Sequence, residues 1–302
     1  MNSDFRWADI ETRKSKLENR SASLPSGVRS FEFRSSMFEL RFSNFKSQIS
    51  NLRSVLGLLL LAGLVVCVAP ASAAQRVWAR QFNLPPGGHV SVVNVHGSVL
   101  VQGWDRSEVE ATVAMRSEAP SEQLDDVQVA VEARSGAITF HTLYPSGLDS
   151  PIRVDYRLRV PRQVRLDELS TLEGDIVVRE VEGSMEAHNL HGDIEGIDVS
   201  GSVVAHALTG NILISSRALP GRYLPFTLGT INGNVDLIIP AQADADLALS
   251  TVAGTIAGDY PFQVSSVPGD TTRHARVGAG GVKVEVRTVK GNIHVGQRDD
   301  DI

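Results

Sequence analysis

Along residues 75–166 apolar and polar positions alternate in short runs. HVSVVNV (89–95), SVLVQGW (98–104), EVEATVAMR (108–116), VQVAVEA (127–133), AITFHTL (137–143) and IRVDYRLRV (152–160) are rich in β-branched residues at a period of two, the pattern of strands with one buried face. Between them, PPGG, HG, RSG and YPSG supply the fixed or positive φ angles of tight turns. SEAPSEQLDD (117–126) comes nearest to a helix, and it is too short and polar to be more than a loop or a single turn. An all-β chain is predicted.

From Leu166 onward the alternation acquires a longer period. Gly174, Gly183, Gly192, Gly201 and Gly210 stand nine apart, with Ile176, Met185, Ile194, Val203 and Ile212 two places after each. Val178, Ala187, Gly196, Ala205 and Ile214 follow at four places, and Val181, Leu190, Val199 and Leu208 at seven, so all these positions are expected to face inward. Alternate blocks differ, however. Gly174-Asp175, Gly192-Asp193 and Gly210-Asn211 are of one type and the Gly-Ser blocks of another, which makes the true unit 18 residues. Gly233-Asn234, Gly254-Thr255 and Gly291-Asn292 continue the first type at spacings of 23, 21 and 37, and Thr171, Thr230, Thr251 and Thr288 each stand three places before a glycine.

One such unit cannot bury its own apolar side, whereas units stacked coil on coil bury it in internal ladders and pair their backbones above and below. The predicted architecture is a single-stranded β-solenoid with its core over about 166–296, preceded by N-terminal strands. The glycines turn its corners, and the Asp, Asn or Thr after each forms a hydrogen-bonding turn ladder. A β-sandwich of hairpins is the alternative packing, but it needs no 18-residue register.

GSVLVQGWD (97–105), RVP (159–161), the T-x-x-G-[DN]-[IV] units at Thr171, Thr230 and Thr288, and NVDLIIPAQAD (234–244) together resemble the DUF4097 family of adhesin-like β-strand repeat proteins over residues 76–296. The resemblance implies a right-handed solenoid in the extracytoplasmic space, sometimes membrane-anchored and sometimes linked to envelope-stress systems. It implies no activity and no functional residues.

The N-terminus points the same way. VLGLLLLAGLVVCV (55–68) follows Lys46 and Arg53 and precedes Ala71-Ser72-Ala73, a secretory signal pattern with cleavage before Ala74. The run falls short of the roughly 20 residues of a membrane span, although an uncleaved anchor at 55–73 is the rival reading. A lipoprotein site at Cys67 is disfavoured by the bulk of Val66. Residues 1–54 read as a disordered or misassigned extension, with Met37 a more natural start, and residues 297–302 as an acidic tail.

Composition narrows the chemistry further. Aromatics are only 6% and glycines number 26, so Val, Ile, Leu and Ala must build the core of a chain that turns often. Cys67 is the only cysteine, which leaves the mature chain without a disulfide, thiol nucleophile or cysteine metal site. A net charge of −6, with basic residues relatively concentrated in the first 53 positions so that the mature part is more acidic still, argues against nucleic acid as a partner.

Three constellations invite a chemical reading. The block GDIVVREVE has one glycine, and its aspartate stands in the wrong place for a calcium-binding nonapeptide repeat, so a calcium site is not expected. Asp175 and Asp193, one coil apart, would approach to about 5 Å, the carboxylate separation of retaining glycosidases. Asn211, Asn234, Thr255 and Asn292 occupy the same position, and a site that accepts Asn and Thr serves turn hydrogen bonding rather than proton transfer. His188 and His206 also stand 18 apart near His191 and could hold a metal weakly, but no third ligand is evident.

Trp104 is expected as a core or cap residue rather than a ligand-stacking one. His89, His96, His141, His274 and His294 are scattered, and no nucleophile elbow, phosphate loop or dinucleotide fingerprint occurs. The chain therefore reads as an exported non-catalytic scaffold or binding protein, with no cofactor and an envelope protein or glycan as partner. It would meet the membrane through residues 55–74. The alternatives are a polysaccharide-active enzyme using Asp175 and Asp193, and a metal-binding surface at His188 and His206.

Overall fold

A computed structural model describes residues 74–117, 124, 126–145, 152–264 and 272–298, all within one compact unit. The extension and the apolar segment at 55–73 lie outside the described residues, as do residues 299–302. Every named element is a strand. In chain order they are β1 (Ala74–Asn83), β2 (Gly88–Val93), β3 (Val99–Trp104), β4 (Glu108–Ser117), β5 (Gln128–Arg134), β6 (Ala137–Leu143) and β7 (Arg153–Pro161). The repeats supply β8 (Val164–Glu173), β9 (Ile176–Arg179), β10 (Met185–His191), β11 (Ile194–Ser200), β12 (Val203–Thr209), β13 (Ile212–Ala218), β14 (Phe226–Asn232) and β15 (Val235–Pro240). The last are β16 (Ala245–Ala253), β17 (Ile256–Gly258), β18 (Gln263–Val264), β19 (Arg273–Val277), β20 (Val282–Lys290) and β21 (Ile293–Arg298).

These strands form two sheets. One has eleven strands, ordered β18-β19-β16-β20-β14-β12-β10-β8-β2-β6-β5, and the other ten, ordered β1-β4-β7-β3-β9-β11-β13-β15-β21-β17. From β8 to β15 each strand in one sheet leads to a strand in the other, so two strands and two corners make one coil, and successive coils pair in parallel. The 18-residue unit is that coil. This is a β-solenoid with a two-sheet cross-section, and among the described residues antiparallel pairing is confined to its two ends.

The inner faces carry the core. Ile176, Ile194, Ile212, Val235 and Ile293 stack in one buried row, and Met185, Val203, Phe226, Val284 and Leu247 in another. Val181 and Val199 are buried as the pattern requires, but Leu190 and Leu208 are exposed, which corrects the inward assignment seven places after Gly183 and Gly201. Backbone conformation explains the split. Glu180 and Asp198 take positive φ, 53° and 54°, and this kink reverses the in-out alternation so that the next residue turns inward. In β10 and β12 no such kink intervenes, and strict alternation from buried Asn189 and Ala207 leaves Leu190 and Leu208 facing out.

Stacking order also departs from chain order. The N-terminal strands are part of the stack: β2 and β3 form a coil held between β6/β7 and β8/β9. At the other end the coil β20/β21 lies between β14/β15 and β16/β17, so the last coil in the chain is not the last in the stack. The crossing is made by the turn Gly278–Gly281, which carries the chain from β19 on one side of β16 to β20 on the other. Gly278 and Gly280 take φ of 56° and 75°, and the Asp244 and Asp246 carboxylates accept the N–H groups of Ala279 and Gly281 at 2.7 and 3.3 Å.

Candidate functional site

Seven described corners lead from the eleven-stranded sheet to the ten-stranded one, and their glycines stack in the order 97, 174, 192, 210, 233, 291, 254; from Gly174 on they carry the turn ladder. A side chain at Gly210 would overlap the carbonyl oxygen of Gly192 below it, and the φ of 152° is one that glycine accepts most readily. Beyond Gly97, the residue after each glycine binds the next coil. Asp175 Oδ1 accepts the N–H of Asp193 at 2.9 Å, Asp193 Oδ1 that of Asn211 at 2.8 Å, and Asn211 Oδ1 that of Asn234 at 2.9 Å. Asn234 Oδ1 then accepts the N–H of Asn292, and Asn292 Oδ1 that of Thr255, both at 2.9 Å.

The residue types follow from that geometry. From Asp175 to Asn292 each rung supplies a side-chain oxygen to the coil above it, and Asp and Asn both carry one at the right reach. Thr255 ends the series and instead donates its hydroxyl to Asn292 Oδ1 at 2.9 Å. The two carboxylates that sequence spacing nominates for glycosidic chemistry therefore each commit an oxygen to backbone of the adjacent coil.

A second row lies three residues before each glycine, on the buried side. Thr171, Thr230, Thr288 and Thr251 donate their hydroxyls to the carbonyls of Gly97, Gly210, Gly233 and Gly291 at 2.9–3.1 Å, and Asn189 Nδ2 donates to Gly174 at 2.7 Å. Asn94 opens the row, with Nδ2 on the carbonyls of Gly97 and Val154 and Oδ1 accepting from the Thr142 hydroxyl. That hydroxyl also meets the Tyr156 phenol at 2.6 Å, and burial pushes the Tyr156 hydroxyl up to about 12.

The histidines come together without forming a metal cage. His188 and His206 pair across β10 and β12 with ring centroids 5.7 Å apart and planes 17° from parallel, so their nitrogen lone pairs lie in near-parallel planes rather than converging on one point. Glu186 Oε1 meets His188 Nε2 at 3.0 Å. Burial, and after it the neighbouring His188, lowers the affinity of His206 for a proton. Among the described residues no three His, Cys, Asp or Glu side chains are arranged to hold a metal ion.

The other candidates disperse. His89 bonds Asp167 at 2.6 Å, His96 bonds Glu173 at 3.0 Å and His294 lies 3.9 Å from Asp236, each on a different part of the stack. Trp104 donates its indole N–H to the Glu108 carbonyl, and the Arg106 and Arg159 guanidinium groups lie 4.8 and 5.9 Å from its ring, so it is a half-buried, cation-covered surface residue. A shallow hollow of about 310 Å³ near β1 is lined by Gln81, Phe82, Asn83, Ser107 and Glu108. Glu108 is the one titratable group there.

Sequence reasoning missed the ion pairs at the opposite corners. Arg162 meets Glu180 at 2.6 Å and Asp105 at 2.8 Å, while Arg298 on the last strand bonds Asp198. Glu180 and Asp198 are themselves the two kinked residues, which no hydrophobic period marks.

No protein-family model matches the chain, and no curated protein matches it. Among solved structures it is similar to a candidate cell adhesion protein from Clostridium sporogenes, with 10% identity, 74% of this chain and 100% of that one covered, and a TM-score of 0.42. It is also similar to a candidate adhesin from Bacteroides fragilis, at 11% identity, 73% and 97% coverage and a TM-score of 0.33. A candidate lipid binding protein from Parabacteroides distasonis follows at 9% identity, 74% and 97% coverage and a TM-score of 0.26.

Proposed function

We propose that this chain is an exported, non-catalytic scaffold or binding protein of the cell envelope, of the adhesin-like DUF4097 type, whose outer faces meet an envelope protein or glycan. One observation carries the non-catalytic reading: the stacked carboxylates of Asp175 and Asp193 hold backbone N–H groups of the next coil at 2.9 and 2.8 Å, in a row whose other members are Asn and Thr. Export rests on the signal pattern at 55–73, and an accessory role in envelope-stress signalling would use the same outer faces.

The test combines fractionation with glycan assays. The chain is expected in the extracytoplasmic fraction, and envelope polysaccharides incubated with it are expected to be bound without being cleaved. Cytoplasmic recovery would remove export. Cleavage that disappears in the Asp175→Asn, Asp193→Asn double variant, with the fold retained, would replace this reading by a polysaccharide-active enzyme.

A further inference from the structure

Two places before each corner glycine the eleven-stranded sheet presents an aliphatic side chain on its outer margin. Leu172, Leu190, Leu208, Ile231, Val289 and Val252 occupy consecutive rungs in that order, with side chains outside the core and exposures from 36% to 75%. Six rungs make five inter-strand spacings, roughly 24 Å of unbroken stripe, and half-buried Val95 extends it by one rung. The adjoining outward row is polar over most of its length, through Ser170, His188, His206 and Arg287. A contiguous apolar stripe rimmed by polar residues marks an interaction surface.

We propose that this stripe is a self-association surface, on which a second copy of the chain packs with its stack running the opposite way. Charge chooses the occupant and its orientation. The residue after each stripe position lies on the corner: Glu173 on the second rung, counting Val95 as the first, and Lys290 on the sixth. A two-fold axis across the stripe at Leu208, the fourth rung, sets Leu172 against Val289 and Leu190 against Ile231. The same axis places Glu173 of each copy opposite Lys290 of the other. Glu173 is 58% exposed with His96 on Oε2, and Lys290 is exposed with no ion-pair partner among the described residues.

The alternative two-fold, along the stripe, keeps rungs level and exchanges its two sides. Lys290 would then face Arg287 on the same rung, which shares its carboxylate partner Glu285 with Lys283, so that net like charge opposes association. Antiparallel packing is the arrangement the charges favour. The stripe and its rims would bury roughly 400 Å² of each copy, about half the area of a standard stable interface, so the dimer is a weak one. This goes beyond the scaffold reading and does not depend on any ligand.

Sedimentation equilibrium of the exported chain from Ala74 onward, from micromolar to near-millimolar concentration, decides the matter, with circular dichroism checking the fold of every variant. A reversible monomer–dimer equilibrium is expected. Leu208→Glu, which sets like charges against each other at the axis, should weaken it at least about tenfold, as should Glu173→Lys or Lys290→Glu alone. Combining the two charge reversals should restore affinity to within about threefold of the original. A chain that stays monomeric, a dimer indifferent to Leu208→Glu, or a double reversal without rescue would overturn the proposal. So would a monomer that neutral phospholipid vesicles retain and that Leu208→Glu releases, since the stripe would then belong to lipid.

Discussion

At the scale of single residues, one hydrogen-bonded row shows what the repeat is for. The recurrence of Thr171, Thr230, Thr251 and Thr288 three places before a glycine is plain in the sequence, but its purpose is not. Each hydroxyl reaches the glycine carbonyl of the preceding coil in the stack, a partner at least 20 residues away along the chain. Ala207 is the rung where that donor is missing: it pairs with Asn189 on one side and Thr230 on the other and is 7% exposed. Ala207→Thr should donate to the Gly192 carbonyl and stabilise the fold by about 1 kcal/mol. Urea unfolding measures it, and Ala207→Val separates the hydroxyl from β-propensity; a valine variant that gains as much as threonine would refute the hydrogen bond.

At the scale of elements, the strands were legible because period-two alternation survives in nearly all of them, and the corner ladder because its residue types repeat. What escaped was parity. Leu190 and Leu208 look the same in sequence as Val181 and Val199, and only the left-handed backbone of Glu180 and Asp198 sends one pair inward and leaves the other outside. Non-glycine residues seldom take that conformation, so no composition rule announces it.

The His188–His206 contact belongs to the same scale, since it exists only because β10 and β12 pair in register. His206 has a folded-state pKa below the ordinary histidine value, through burial first and His188 second, while Glu186 acts weakly the other way. The unfolded chain therefore binds more protons as pH falls through the window below about 6.5, and stability must decline there. Thermal melts between neutral and mildly acid pH should show that decline, and His206→Gln should flatten it. A variant with the same slope would place the titration elsewhere.

At the scale of the whole molecule, β20 and β21 enter the stack between strands that precede them in the chain. The spacing of 37 residues before Gly291 signals an excursion, yet nothing local tells a reader that the returning coil goes inside rather than on top. The Gly-rich crossing at 278–281 can be interpreted only once β19 and β20 are seen on opposite sides of β16. In a solenoid stacked in chain order, loss of the terminal coil removes one nearest-neighbour interface and leaves the remainder folded. Here, truncation after Gly281 would separate β14/β15 from β16/β17 and uncover apolar rows on both. The truncated chain should lose its cooperative melt and become protease-sensitive throughout 226–264, and a melting temperature within a few degrees of the intact protein would contradict this.

Insertion of the final coil also orders events in time. As the chain emerges, from a ribosome or through a translocation channel, β16 and β17 appear before the strands they must rest against. The stack cannot close around Phe226 and Leu247 until β20 has arrived between them. Closure thus becomes a report on how far the chain has been made, because a chain interrupted before β20 lacks the strand that locks the others.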